Sequence, residues 1–254
     1  WKTARVIVLL MFSRYKKTAV FLTVLILALS GCQSVSSQKE PFVKKGFYFD
    51  TVIEIQVYGD RSEEAAKRCF EICDEIEHTF SRTRSDSELY RVNHRKEDRV
   101  QVSDDLAYVV KRGLEFYQMS EGKFDITIAP VSALWNFKSE DPQIPEESAI
   151  KEAVKKVDAS KVHVQGNTLV FDSSETMLDL GALVKGYAAD KLKKCLKEYG
   201  ISSAMINLGG NVMTLGNKPD GTDWSVGIQK PFSRRNEVIT TVKARDCSVV
   251  SSGV

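Results

Sequence analysis

Asp179-Leu180-Gly181-Ala182-Leu183-Val184-Lys185-Gly186-Tyr187-Ala188-Ala189-Asp190, followed by Asn207-Leu208-Gly209-Gly210-Asn211, is the stretch on which the reading of this chain turns. It reads as a buried strand that ends in an Asp-Leu-Gly turn and opens straight into a helix. A carboxylate, free backbone N–H and C=O groups and a lysine then gather at one helix N-terminus, where phosphates bind. Gly209 and Gly210 permit a backbone approach that a Cβ would block. The pattern matches neither GxGxxG nor GxxxxGK[ST], which excludes a Rossmann or P-loop reading.

Outward from that turn, the helix continues through Leu192 and Leu196 to its stop at Gly200. Short strands follow at 204–207, 212–215, 224–229 and 237–245. Upstream, residues 161–172 form a hairpin with Gly166-Asn167 at its turn. A short helix over 146–157 follows the loop holding Pro142 and Pro145. Another helix starts at a Ser103-Asp104 cap and stops near Gly122. A helix capped by Ser62 carries Ala65, Ala66, Cys69, Phe70, Cys73, Ile76 and Phe80 on one face. Residues 47–58 alternate as one half-exposed strand. Strands grouped apart from helices predict an α+β fold.

The first 31 residues read as a leader rather than as part of the fold. Arg14, Lys16 and Lys17 precede an apolar run over 18–29, and Leu29-Ser30-Gly31-Cys32 has the form of a lipoprotein cleavage site. The run is about a dozen residues where a membrane span needs about twenty. Cys32 is the expected lipid attachment point, and several acyl chains at about 0.8 kcal/mol per buried methylene hold a protein at a membrane stably. Met11 is a natural start, so residues 1–10 read as an upstream artefact, and 32–44 as a tether before a domain over 45–254. The formal charge is +2, but Lys2, Arg5, Arg14, Lys16 and Lys17 all lie in a leader without acids, leaving −3 from Cys32 onward. That balance argues against nucleic acid as a partner. Cys69, Cys73, Cys195 and Cys247 show no zinc or CxxC spacing; Cys69 and Cys73, four apart on one helical face, could pair or bind metal but read as two small buried side chains.

Three polar clusters interrupt the periodic elements: Ser81 to Leu89 with Asn93, Ser120 to Thr127, and the Asp179 run itself. Alone, the first reads as a solvated loop and the second as a helix stop leading to an aromatic and a carboxylate at the mouth of a strand. Taken in order, Phe49-Asp50-Thr51, Ser87-Glu88-Leu89 with Asn93, Gly122-Lys123-Phe124-Asp125-Ile126 with Pro130 and Trp135, DLGALVKGYAAD, NLGGN and Ser248 to Gly253 resemble the ApbE family of FAD:protein FMN transferases. The resemblance covers nearly all the chain from Lys45 onward and implies an ApbE-like, T-fold-related arrangement of sheets with packed helices.

The resemblance implies Mg²⁺-dependent transfer of FMN from FAD to a threonine or serine hydroxyl of an acceptor protein, with AMP leaving. The acceptors would be subunits of membrane redox complexes, and the enzyme a lipid-anchored envelope protein with its domain outside the cytoplasm. Carried over by motif, Phe49, Thr83, Lys123, Phe124, Asp125, Asp179 and Lys185 match flavin-nucleotide contacts, and the Ala182 carbonyl matches one metal ligand, an oxygen donor suited to Mg²⁺. Asp179 as an N-cap and Lys185 as a surface helix residue are compatible structural readings. Asp190 and residues 207–211 read as structural support. Many relatives have tyrosine where Thr83 aligns, so an aromatic stacking partner is forfeited. This keeps open FAD hydrolysis to FMN and AMP, or flavin binding without catalysis. The family's histidine, and the Asp and Thr that complete its metal site, are expected beyond Val254, so no catalytic residue is assigned and the C-terminal part of the domain is expected to be missing, with an unpaired sheet edge left behind.

Overall fold

The computed structural model describes residues 40–136, 141, 143–233 and 237–252; the leader, Cys32, the tether as far as residue 39, Pro142 and Gly253 lie outside the described residues. Strands β1 (Phe42–Tyr48), β2 (Thr51–Tyr58), β6 (Ser203–Leu208), β7 (Asn211–Leu215) and β10 (Ser248–Val250) form an antiparallel sheet in the order β1-β2-β6-β7-β10. A second sheet runs β3 (Arg99–Gln101), β5 (Thr168–Phe171), β4 (Val162–Gln165), and β8 (Trp224–Gln229) pairs with β9 (Val238–Ala244). Helices α1 (Ser62–Phe80) and α6 (Gly181–Glu198) pack on each other and on the five-stranded sheet. The other α-helices among the described residues are α2 (Glu88–Asn93), α3 (Asp104–Met119), α4 (Ala129–Ser132) and α5 (Glu147–Val154). The architecture is α+β, as the segregated pattern predicts.

Period-two alternation places Ile53, Ile55 and Val57 fully inside, facing the buried stripe Ala65, Ala66, Cys69, Phe70, Cys73, Ile76 and Phe80 of α1. From α6, Val184, Ala188, Ala189, Leu192 and Leu196 join the same core. Each large aliphatic buried there contributes roughly 1.5–3 kcal/mol relative to exposure. Ser103 caps α3 by accepting from the Leu106 N–H at 3.2 Å. The hairpin at Gly166 closes as expected, with Gln165 opposite Thr168.

Several elements differ from the sequence reading. The stretch 47–58 is not one strand: β1 and β2 meet at a tight turn where Phe49 (φ 55°) and Asp50 (φ 58°) are both left-handed. That conformation is the one Asn-Gly normally supplies, so the aromatic hid the turn. Strand β1 begins at Phe42, inside the stretch read as tether. The N-cap of α1 is Arg61, because Ser62 is already helical. Helix α5 ends at Val154 rather than 157. The polar cluster after α1 contains helix α2, capped by Ser87, whose Oγ accepts from the Tyr90 N–H at 3.0 Å. No strand follows Asp125; the chain turns into α4. Nor is the segment before Asp179 a sheet strand. It is buried at Leu178 and Leu180, and the backbone groups of Leu178 bond to a side chain instead. The Leu178 N–H donates to Asn93 Oδ1 and Asn93 Nδ2 donates to the Leu178 carbonyl, each at 2.8 Å. The amide of Asn93 therefore takes the place of a neighbouring strand.

Candidate functional site

The segment held by Asn93 delivers Asp179 to the entrance of α6. The Asp179 N–H donates to the Ile126 carbonyl at 2.8 Å, which ties this strand-like segment to the turn after α3. Asp179 Oδ1 accepts from the Gly181 N–H at 3.0 Å, and Oδ2 accepts from Ser132 Oγ at 2.9 Å. The Nε of Arg82 stands 3.4 Å from the same Oδ2. The carboxylate thus satisfies one of the first N–H groups of the helix, close to the capping role read from sequence, although Leu180 occupies the cap position itself.

Two clefts open from this carboxylate. One, of about 710 Å³, is lined by Phe49, Thr83, Lys185 and Asp179, with Ile76 and Phe80 as apolar wall and Arg82 beside them. The other, of about 780 Å³, is lined by Lys123, Phe124, Asp125, Ala182 and Asp179, with Tyr117 and Ile128. Both volumes fall in the range of small-molecule sites. All eight residues carried over by motif line one cleft or the other, and Asp179 lines both.

The walls are built locally. The loop after α1 is tied to itself: the Arg84 N–H donates to Ser81 Oγ at 3.2 Å, and the fully buried Ser87 hydroxyl donates to the Ser81 carbonyl. Arg84 forks onto Asp86, with Nε to Oδ1 at 3.1 Å and Nη2 to Oδ2 at 2.9 Å. This guanidinium holds the Asp86 carboxyl down at about 2. Thr83 is exposed at the rim. Across the second cleft, Gly122 (φ 79°) turns the chain so that the Phe124 N–H donates to Ser120 Oγ at 2.9 Å. The Phe124 ring meets Phe116 edge-on.

Asp125, on the wall of the second cleft, is also bonded within the protein. Its Oδ1 accepts from the Thr127 N–H (2.7 Å) and Oγ1 (2.6 Å), and its Oδ2 from the Ala159 N–H at 3.1 Å. Three of roughly four lone-pair directions are taken up within the protein. Asp125 therefore shapes the wall by joining two turns. Asn207 Oδ1 accepts from the Gly210 N–H at 3.2 Å, and a Cβ on Gly209 would collide with the Thr51 side chain. Those glycines pack the β6–β7 turn, and neither they nor the exposed Asp190 line either of these two clefts. Sequence alone singled out neither Arg82, Ser132 nor Glu77, because their value lies in contacts with distant segments. Ala182 is exposed in the first turn of α6, and among the described residues no group of three or more His, Cys, Asp or Glu could hold a metal ion.

Comparison with known proteins identifies the family and the fold. A family model described as the ApbE family matches residues 49–254. The FAD:protein FMN transferase of Treponema pallidum is 30% identical over 223 residues, which is 80% of this chain and 62% of that protein. The protein of the same description from Vibrio cholerae is 30% identical over 187 residues, 72% of this chain and 55% of its own. The chain thus spans less than two thirds of the length of these relatives. Among solved structures, the flavin transferase ApbE from Vibrio cholerae superposes with a TM-score of 0.70 at 27% identity, covering 76% of this chain and 64% of that one. The ApbE protein of Thermotoga maritima has a TM-score of 0.75 at 22% identity, covering 82% and 69%, a likeness of fold.

Proposed function

The chain belongs to the ApbE family, and on that premise we propose that it transfers the FMN part of FAD to a threonine or serine hydroxyl of an acceptor protein. The hydroxyl oxygen forms a bond to the flavin-side phosphorus, the bridging P–O bond breaks, and AMP departs with its electron pair while the hydroxyl proton passes to a base. No electron is gained or lost by the flavin. The observation that carries this reading is the pair of clefts meeting at Asp179. A dinucleotide has two bulky ends joined by a charged bridge, and the junction sits at a helix N-terminus suited to that bridge. Phe49 and Phe80 give one cleft an aromatic wall, and Lys185 and Lys123 place a cation on each side.

Mg²⁺ belongs to the proposal through the carbonyl of Ala182. One carbonyl does not fill the octahedral oxygen set of that ion, and the described residues supply no carboxylate cluster to complete it. The residues described do not by themselves form the metal site. The proposal further places the domain outside the cytoplasm, held by lipid on Cys32, with subunits of membrane redox complexes as acceptors. The leader, the Leu29-Ser30-Gly31-Cys32 sequence and the polar residues after it support this. Among the described residues no helix is long and apolar enough to cross a membrane.

A second reading, hydrolysis of FAD to FMN and AMP, is favoured by one observation: Thr83 is exposed at the rim and offers no ring to hold the flavin in line for transfer. The test incubates the full-length protein, with the segment expected beyond Val254, with FAD, Mg²⁺ and a threonine-bearing acceptor protein. Flavin fluorescence fixed to denatured acceptor is the expected result. Free FMN alone supports hydrolysis, and FAD left intact supports binding without catalysis.

A further inference from the structure

We propose that Arg82 grips the diphosphate bridge of FAD directly and so sets the preference of the site for a dinucleotide over an uncharged flavin. The inference rests on the function proposed above and adds a residue to it. The wall of the 710 Å³ cleft carries three carboxylates, Asp50, Glu77 and Asp179. Its cations are Arg82, Arg84 and Lys185. Arg84 is committed: it forks onto Asp86, lies 3.5 Å from Glu77 Oε2, and its Nη2 is 2.8 Å from His78 Nε2.

Arg82 is different. Among the described residues its one ion pair is the 3.4 Å approach of Nε to Asp179 Oδ2, so the contact uses the inner edge of the guanidinium. Its two terminal nitrogens keep their donors for a ligand, in the planar fork that suits phosphate oxygens. The side chain is 29% exposed, enough to meet a ligand and buried enough for the charge to be weakly screened. Its backbone is fixed by the bonds that close the loop on either side, Arg84 N–H to Ser81 Oγ and Ser87 Oγ to the Ser81 carbonyl. Asp179 thereby acts as the holder of the guanidinium, and Arg82 as the group that offsets the charge of Asp179 when the bridge arrives. Lys185, on α6 and on the wall of the same cleft, adds a second positive charge.

The test measures affinity for FAD and for riboflavin, which lacks phosphate, by flavin fluorescence on the full chain and on Arg82→Met, Arg82→Lys, Asp179→Asn and the Arg82→Met/Asp179→Asn pair. Arg82→Met is expected to weaken FAD by about tenfold or more while changing riboflavin by less than about twofold, with Arg82→Lys in between. The loss of FAD is expected to persist in the Asp179→Asn background. Equal loss of both flavins would mean that Arg82 only shapes the cleft, and a silent Arg82→Met in the Asp179→Asn background would mean that it only screens that carboxylate. Either result overturns the inference and leaves the proposed function standing. Failure of the unsubstituted chain to bind FAD would overturn both.

Discussion

The backbone N–H of Phe49 donates to Oε1 of Glu77 across 2.7 Å, joining the tip of the β1–β2 hairpin to the last turns of α1. The other oxygen, Oε2, stands 3.5 Å from Nη1 of Arg84 in the loop after that helix. One carboxylate therefore fixes two segments that form the mouth of the 710 Å³ cleft. Replacing it with Ala removes both ties and leaves a partly buried N–H without its acceptor. Glu77→Ala is expected to cost about 1–3 kcal/mol in urea unfolding and to weaken FAD binding. Glu77→Gln, which keeps an acceptor oxygen, is expected to recover most of the stability. Equal losses in the two variants would contradict this account.

Phe49 sits at φ 55°, where a bulky side chain is strained by roughly 1 kcal/mol or more. Strain of this kind persists only when the surroundings hold it, here the bond to Glu77 and the packing against Tyr48. Both Phe49→Ala and Phe49→Gly delete the ring, but only glycine relieves the backbone. The glycine variant is expected to be more stable than the alanine variant by about 1 kcal/mol, the reverse of the usual order, while both bind FAD more weakly than the parent. Denaturant midpoints and flavin titration measure the two effects separately.

Asp86 offers a pH test of the loop. Its carboxyl lies near 2 because of the hydrogen bonds from Arg84, against about 3.9 in an unfolded chain. A carboxyl depressed on folding lends stability above its unfolded value and loses that contribution as pH falls toward the folded one. Between about pH 4 and pH 2 the parent is therefore expected to lose more stability than Asp86→Asn. Parallel losses across that window would show that the fork to Arg84 does not persist in solution.

Burial decides the thiols. Cys69 and Cys73 lie wholly inside α1's packed face, Cys195 nearly so on α6, and Cys247 is exposed. Burial pushes the Cys73 thiol up to about 12 and raises Cys69 and Cys195 in the same direction. A neutral buried thiol is inert. Of these four, only Cys247 is expected to react with a disulfide reagent in the folded protein, and all four in denaturant, as counted by absorbance.

Much of this architecture was legible because it is periodic. The stripe on α1, the cap at Ser103 and the alternation of Ile53, Ile55 and Val57 follow from local spacing, and the structure repeats them. What escaped was conformational or remote. A left-handed aromatic at Phe49 carries no turn signal, and the helix Glu88–Asn93 is too short for its period to register. The motifs did reach both clefts, yet they could not tell that Asp125 spends its oxygens inside the protein, or that Arg82 leans on a carboxylate far along the chain.

Asn93 makes that last point testable. Its side chain satisfies both the N–H and the carbonyl of Leu178, a residue that is completely buried and 85 positions away. Asn93→Ala strands a donor and an acceptor where no water reaches, which costs about 1–3 kcal/mol for each group. The segment so loosened is the one that carries Asp179 to the junction of the clefts, so stability and ligand affinity are expected to fall together. Asn93→Asp keeps the acceptor for the Leu178 N–H, but it turns oxygen toward the Leu178 carbonyl and introduces a buried charge, so it is expected to be no better than alanine near neutral pH and to improve as the carboxyl protonates. A variant that melts like the parent would show that the Leu178 segment is held by its packing, with the amide pair adding little. Lower stability with unchanged FAD affinity would show instead that the position of Asp179 is set from the Ile126 side, through the 2.8 Å bond from its own N–H.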